Sequence, residues 1–128
     1  NVTVKSEVDE VTGKKGTVVL ESKEDLHPQI VIRKEAEGEV LGFAELGPGG
    51  EVDCFYVHHA HQGEGLGRTL MEHLLGLARR RRWPRLAADV SVTARPFFQR
   101  LGFRAYRRQK KVYRNRAFRQ YRMERRVR

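Results

Sequence analysis

The 128-residue chain carries one cysteine, Cys54, and no apolar run close to a membrane span, which needs about 20 residues. A lone thiol cannot close an internal disulfide, so a disulfide-stapled secreted scaffold is excluded. A reducing, cytoplasmic setting is the expectation, and the opening residues show no signal-peptide pattern. Repeats and low-complexity linkers are missing too. Acid is scarce near the end: residues 104–128 hold twelve Lys/Arg and one carboxylate, Glu124, against fourteen basic and fifteen acidic residues in 1–103. The net charge of +10 is therefore a property of the C-terminal end. Such a basic face suits nucleic acid, an acidic protein surface or a polyanionic cofactor, although a merely solvated strand face would look the same.

What is present reads as alternating strands and helices. Thr17–Ser22 and Gln29–Ala36 are β-branched and strand-like, as are Val40–Leu46 and, beyond the Gly47-Pro48-Gly49-Gly50 break, Glu51–Val57. Leu66, Leu70, Leu74, Leu77 and Ala78, with Met71 and Leu75 beside them, fall at helical spacing, predicting a helix from Leu66 to about Arg82. Trp83-Pro84 ends it, since proline cannot continue a helix. Arg85–Ser91 is the next strand. A short helix follows in "TARPFFQRLGF", with Thr93 as N-cap, Pro96 in its first turn and Gly102 as the C′ glycine. Two strands near Arg104–Tyr113 and Ala117–Glu124 close the chain as a hairpin through "RNR". The polar residues 1–16 offer only a turn in "VTGKKGT", and "SKEDLHPQ" supplies one short turn at best. The order predicts a single α/β domain with a mixed sheet, in which the unit Glu51–Ser91 brings two parallel strands together through a right-handed crossover.

The glycine-rich loop before the long helix, "QGEGLGR", admits several readings. A dinucleotide fingerprint starting at Gly65 and Gly67 would require a small residue at Leu70, and no Gly-Lys-Ser/Thr makes a Walker loop. His58, His59 and His61 lack a second cluster of ligands and read as loop histidines, not a metal site. What fits is a backbone anion site. Glycines let the main chain approach a ligand closely, and the free N–H groups of a helix N-terminus favour negative charge.

Two stretches, "VHHAHQGEGLGRTL" and "SVTARPFFQRLGF", together resemble the GNAT-type N-acetyltransferases. Gln62, Gly65 and Gly67 match that family's Gln/Arg-x-x-Gly-x-Gly/Ala motif, and Ala94 to Phe103 match a later Ala…Phe-Phe…Leu-Gly-Phe motif. The resemblance is clearest over residues 29–124 within one domain of 1–128. It implies acetyl-coenzyme A as donor, bound where the strands Glu51–Val57 and Leu86–Ser91 splay apart. Its pyrophosphate would rest on N–H groups of Gln62, Gly63, Glu64, Gly65, Leu66, Gly67 and Arg68, with pantetheine along Phe55, Tyr56 and Val57. Main-chain N–H near Tyr56 or Val57 would polarise the thioester carbonyl, Ser91 would touch the cofactor, and Phe97 and Phe98 would wall it. The acceptor would be a small-molecule or peptide amine, with the basic C-terminal hairpin as a surface for an acidic macromolecule.

An acceptor ammonium must lose a proton before it attacks. Glu51 and Asp53, at i and i+2 of a strand, are expected on one face of an acceptor cleft. Neither is assigned as the base. Cys54 is expected on the opposite face as a buried structural thiol. Phe98 stands where many relatives carry a proton-donating tyrosine, so Tyr56, Ser91 or water would take that role. The family's two N-terminal helices are not visible in residues 1–28. Two other readings stay open: a GNAT domain that binds cofactor without catalysing, and a basic RNA- or ribosome-associated module using residues 104–128. Neither the acceptor nor an oligomeric state is indicated.

Overall fold

The computed structural model describes residues 2–7, 17–23, 25–34, 38–58 and 65–127. Five strands come first: β1 (Val2–Glu7), β2 (Thr17–Lys23), β3 (Gln29–Lys34), β4 (Val40–Leu46) and β5 (Val52–Val57). Helix α1 (Leu66–Arg80), β6 (Arg85–Ser91), α2 (Arg95–Arg100), β7 (Arg104–Tyr113) and β8 (Arg116–Arg126) follow. The N-terminal strand β1 was not expected; it pairs antiparallel with β2 from Val2–Ser22 to Glu7–Thr17. The turn in "VTGKKGT" lies outside the described residues, and among the described residues no α-helix precedes α1.

The architecture departs from one mixed sheet. Strands β1 to β5 form an antiparallel meander, while β6, β8 and β7 form a second antiparallel sheet. The expected parallel pair is reduced to one bridge, Glu51 to Ala87. Beyond it each strand pairs antiparallel with another neighbour, β5 with β4 and β6 with β8, and the two diverge. The Gly47–Gly50 break sets this vertex. Gly50 has φ +90°, and a Cβ there would collide with the backbone carbonyl of Arg85, so only glycine lets the turn lie against the start of β6.

The core lies between α1 and both sheets. Leu66, Leu70, Met71, Leu74, Leu77 and Ala78 are buried along one side of α1. They meet Ile30, Ile32, Ala44 and Leu46 from the first sheet and Leu86, Ala88, Val90 and Met123 from the second. Burying each large apolar side chain stabilises by about 1.5–3 kcal/mol, so this helix is what holds the diverging sheets together. Its end comes two residues sooner than predicted, because Arg82 adopts φ +58° and Trp83 donates its N–H back to Ala78 at 2.9 Å.

Helix α2 ends in the same way with the residue the motif prefers. Gly102, at φ +91°, donates to Gln99 O at 3.0 Å, and Phe103 donates to Phe98 O at 3.0 Å. A Cβ on Gly102 would lie 3.2 Å from the Arg125 side chain, which itself donates to Leu101 O at 2.6 Å. Gly102→Ala is therefore expected to cost about 1–2 kcal/mol through left-handed backbone strain. That corresponds to a melting temperature lower by roughly 5 °C. Thermal denaturation checks it, and an unchanged midpoint would remove this cap from the account of stability.

Candidate active site

Between the start of α1, helix α2 and the end of β5, a cavity of about 610 Å³ opens, lined by Val57, Gly65, Leu66, Gly67, Arg68, Thr69, Glu72, Phe97, Arg100 and Leu101. The first residues of α1 form one side. Gly65 takes φ +85°, and its carbonyl accepts both the N–H and the hydroxyl of Thr69 at 3.0 Å. The N–H groups of Leu66, Gly67 and Arg68 precede that first helical bond and have no intrahelical acceptor. No acid lies in the first turn to offset the positive end of the helix dipole. Gly67 is needed for a second reason: a Cβ there would come within 2.9 Å of Phe97 Cζ.

Strand β5 forms the other side. His58 donates its N–H to Leu41 O at 2.7 Å. Antiparallel ladders alternate, so Tyr56 also turns its N–H to β4, while those of Phe55 and Val57 face the gap. Of the two main-chain donors expected, Val57 is the one on the cavity side. Tyr56 points its ring the other way, against Phe43 at 5.4 Å. The aromatic wall also divides. Phe97 lines the cavity, 5.7 Å from Phe55, whereas Phe98 is 8% exposed and packs edge-on to Phe103 at 5.2 Å, as core.

Two local expectations fail on geometry. The N-cap expected at Thr93 is not made; Ala94 occupies that position, and the Ser91 hydroxyl accepts the Ala94 N–H at 3.1 Å. Ser91 thus helps start α2. The larger correction concerns Glu51, Asp53 and Cys54. Glu45 opposes Cys54 while Leu46 opposes Val52, which leaves Asp53 as an extra, bulged residue. A bulge resets strand alternation. The i, i+2 spacing of Glu51 and Asp53 therefore no longer fixes their relative faces. Asp53 turns towards Gly47, close enough that a Cβ there would meet its Oδ2 at 2.7 Å. Cys54 is exposed, not buried, and shares the face of Tyr56.

Glu51 is engaged elsewhere. Arg122 on β8 donates Nη1 and Nη2 to its two carboxylate oxygens at 2.6 and 2.5 Å. The same guanidinium reaches Asp89 on β6 at 3.1 Å and the Tyr106 hydroxyl at 3.2 Å, and Gln109 donates to Asp89 at 2.8 Å. These bonds, led by those to Glu51, raise the Arg122 pKa further and keep it cationic. The cluster ties the first sheet to the second at the vertex. Asp53, by contrast, has no ion-pair partner among the described residues.

Of the predicted cofactor contacts, Val57, Gly65, Leu66, Gly67, Arg68 and Phe97 meet around one cavity. Phe55 stands behind Phe97; Tyr56, Ser91 and Phe98 serve other contacts; Gln62, Gly63, Glu64, His59 and His61 lie outside the described residues. Thr69, Glu72 and Arg100 were missed. Helical spacing could have found them, since Thr69 and Glu72 stand four and seven residues after Gly65 and Arg100 three after Phe97.

A family model described as "Acetyltransferase (GNAT) domain" matches residues 18–125. The chain is 43% identical over 58 residues to an L-methionine sulfoximine/L-methionine sulfone acetyltransferase of Salmonella typhimurium, covering 39% of this chain and 34% of that protein. It is 40% identical over 68 residues to the DNA-directed RNA polymerase subunit beta' of Methylacidiphilum infernorum, covering 53% of this chain and 5% of that one. The chain thus spans about a third or less of these two curated relatives. A solved Salmonella typhimurium protein described as an acetyltransferase, with its cofactor acetyl-CoA, superposes with a TM-score of 0.64 at 28% identity, covering 80% of this chain and 65% of that one.

Proposed function

Because the chain belongs to the GNAT acetyltransferase family, we propose that it transfers an acetyl group from acetyl-coenzyme A to an acceptor amine by direct attack. The observation that carries this reading is the cavity at the start of α1, with unpaired helix N–H groups on one side and Phe97 and Val57 on the other. Acetyl-coenzyme A supplies an activated thioester and an anionic pyrophosphate. The N–H groups of Leu66 to Arg68 suit that anion, with the Arg68 and Arg100 side chains at the cavity wall adding positive charge. Phe97 offers an apolar flank to the pantetheine arm. The Val57 N–H, turned into the gap without a strand partner among the described residues, is the donor suited to negative charge developing on the carbonyl oxygen. Gln62, Gly63 and Glu64 complete this loop in the proposal, as the motif they belong to implies.

Proton transfer divides between the two carboxylates. Glu51 has both oxygens held by Arg122 and serves as an anchor. Asp53, exposed at the bulge, is free to take the acceptor's proton, directly or through water. Phe98 has no proton to give and Tyr56 turns its ring away from the cavity, so water returns one to the departing thiolate. Calorimetric titration with acetyl-coenzyme A, followed by thiol release over a panel of amines, tests the reading. Asp53→Asn is expected to lower turnover about a hundredfold with cofactor affinity nearly unchanged. Undiminished turnover would remove Asp53 from the mechanism. No binding below millimolar donor would sink the proposal, and binding without turnover would leave a cofactor-binding domain.

A further inference from the structure

The hairpin at the end of the chain does more than close the second sheet. Pairing of β6 with β8 stops at Ser91–Gln120, whereas β7 and β8 run on to Tyr113–Arg116. Residues 110–119 therefore project as a two-stranded ribbon beyond the sheet. A two-residue turn closes it, with Arg114 at φ +51° and Asn115 at φ +63°, the left-handed pair of a tight hairpin.

Residues 90–123 contain eleven Lys/Arg and no Asp/Glu. Among the described residues only Arg122 of these forms an ion pair; Lys110, Lys111, Arg114, Arg116 and Arg119 do not. Lys110 stands directly opposite Arg119, a like-charge pairing that destabilises a hairpin. Directly opposed residues share a face, so Lys111, Phe118, Tyr113 and Arg116 stand together on one side of the ribbon. Tyr113 is 61% and Phe118 45% exposed, and the Arg114 guanidinium lies 5.3 Å from the Tyr113 ring. Cations on β7, an edge strand, would also deter edge-to-edge aggregation. That accounts neither for the cations of β8 nor for two aromatic rings left in solvent between them.

We propose that this ribbon binds single-stranded nucleic acid, the cations following the phosphates while Tyr113 and Phe118 stack on bases. Charge alone would suit any polyanion; exposed rings set between guanidinium and ammonium groups select one that carries flat bases. The surface is separate from the cavity, so the proposal stands independently of acetyl transfer.

The test is fluorescence anisotropy with a labelled mixed-sequence RNA of about twelve nucleotides, without acetyl-coenzyme A. If the ribbon's five cations each neutralise a phosphate, affinity falls about a hundredfold between 50 and 200 mM salt. Lys111→Glu with Arg116→Glu should flatten that dependence. Tyr113→Ala and Phe118→Ala should each weaken binding by about fivefold or more. Phe118→Leu, which stays apolar but has no π-face, should fall nearly as far. Each variant should retain the wild-type melting temperature and its response to acetyl-coenzyme A. Polyglutamate binding as tightly as RNA, with the aromatic variants unaffected, would overturn the proposal in favour of an acidic protein partner. No RNA binding at low salt would leave the ribbon as a solvated surface and overturn it too.

Discussion

Gly67→Val is expected to abolish acetyl-coenzyme A binding, reducing affinity at least tenfold, about 1.4 kcal/mol or more. Even a methyl group would meet Phe97 Cζ at 2.9 Å and Cε1 at 3.2 Å. Phe97 has little room to retreat, with ring centroids of Phe55 and Phe98 at 5.7 and 5.6 Å. The ring must swing into the cavity or the start of α1 must move, and either removes the surface that receives the pyrophosphate. Gly67→Ala should be milder, and adding Phe97→Ala to it should restore part of the affinity. That rescue separates a steric block from general misfolding. Calorimetry reads all three, and full-strength binding by the valine variant would refute the assignment of this helix end. Gly65→Ala acts through the backbone as well: at φ +85° it strains the loop by about 1–2 kcal/mol.

The second large effect is expected at Arg122. Replacing it by methionine leaves Glu51 and Asp89, both on the vertex, without their shared counterion. Removing one partner of a fully buried pair costs about 3–5 kcal/mol. Here the guanidinium is 18% and the Glu51 side chain 32% exposed, so water screens part of the loss and about 2–3 kcal/mol is expected. The melting temperature should drop by roughly 10 °C. Glu51→Gln added to Arg122→Met should cost less than the two separate losses combined, because the orphaned charge is gone. A midpoint shifted by no more than the instrument's scatter would dispose of the clamp. The loss should also depend on pH. Burial alone would raise the Asp89 pKa, but hydrogen bonds from Gln109 and Arg122 outweigh it and hold the carboxyl below its ordinary value. A depressed carboxyl stabilises the fold above its unfolded value of about 3.9. That stabilisation disappears as pH falls through the folded value. The difference between wild type and Arg122→Met should accordingly narrow in acid.

Local chemistry made most of the fold legible. Val40–Leu46, Arg85–Ser91 and Arg104–Tyr113 fall where β-branched runs and their bounding Gly and Pro place them. The Leu66 to Ala78 spacing gives α1, and the glycine motif leads to its N-terminus. Relations between distant residues stayed hidden. The bulge at Asp53 depends on how Glu45 and Leu46 pair across the hairpin, and nothing in "EVDCFYV" marks it. One extra residue reversed the faces of Glu51 and Cys54. The Glu51–Arg122 bond joins residues 71 positions apart, so no local window contains it. The parallel pair is limited to one bridge because β4 and β8 hold β5 and β6 along the rest of their lengths.

The single bridge between Glu51 and Ala87 also bears on how the chain folds. Strands β1 to β5 pair only with neighbours in sequence, and β7 with β8 across a two-residue turn. Such local pairing forms quickly, whereas joining the two halves must close a loop that includes all of α1. The first sheet and the β7–β8 hairpin should accordingly form before β6 joins either β8 or Glu51, so the active cleft takes shape late. Its vertex would then govern how fast the protein comes apart more than how fast it forms.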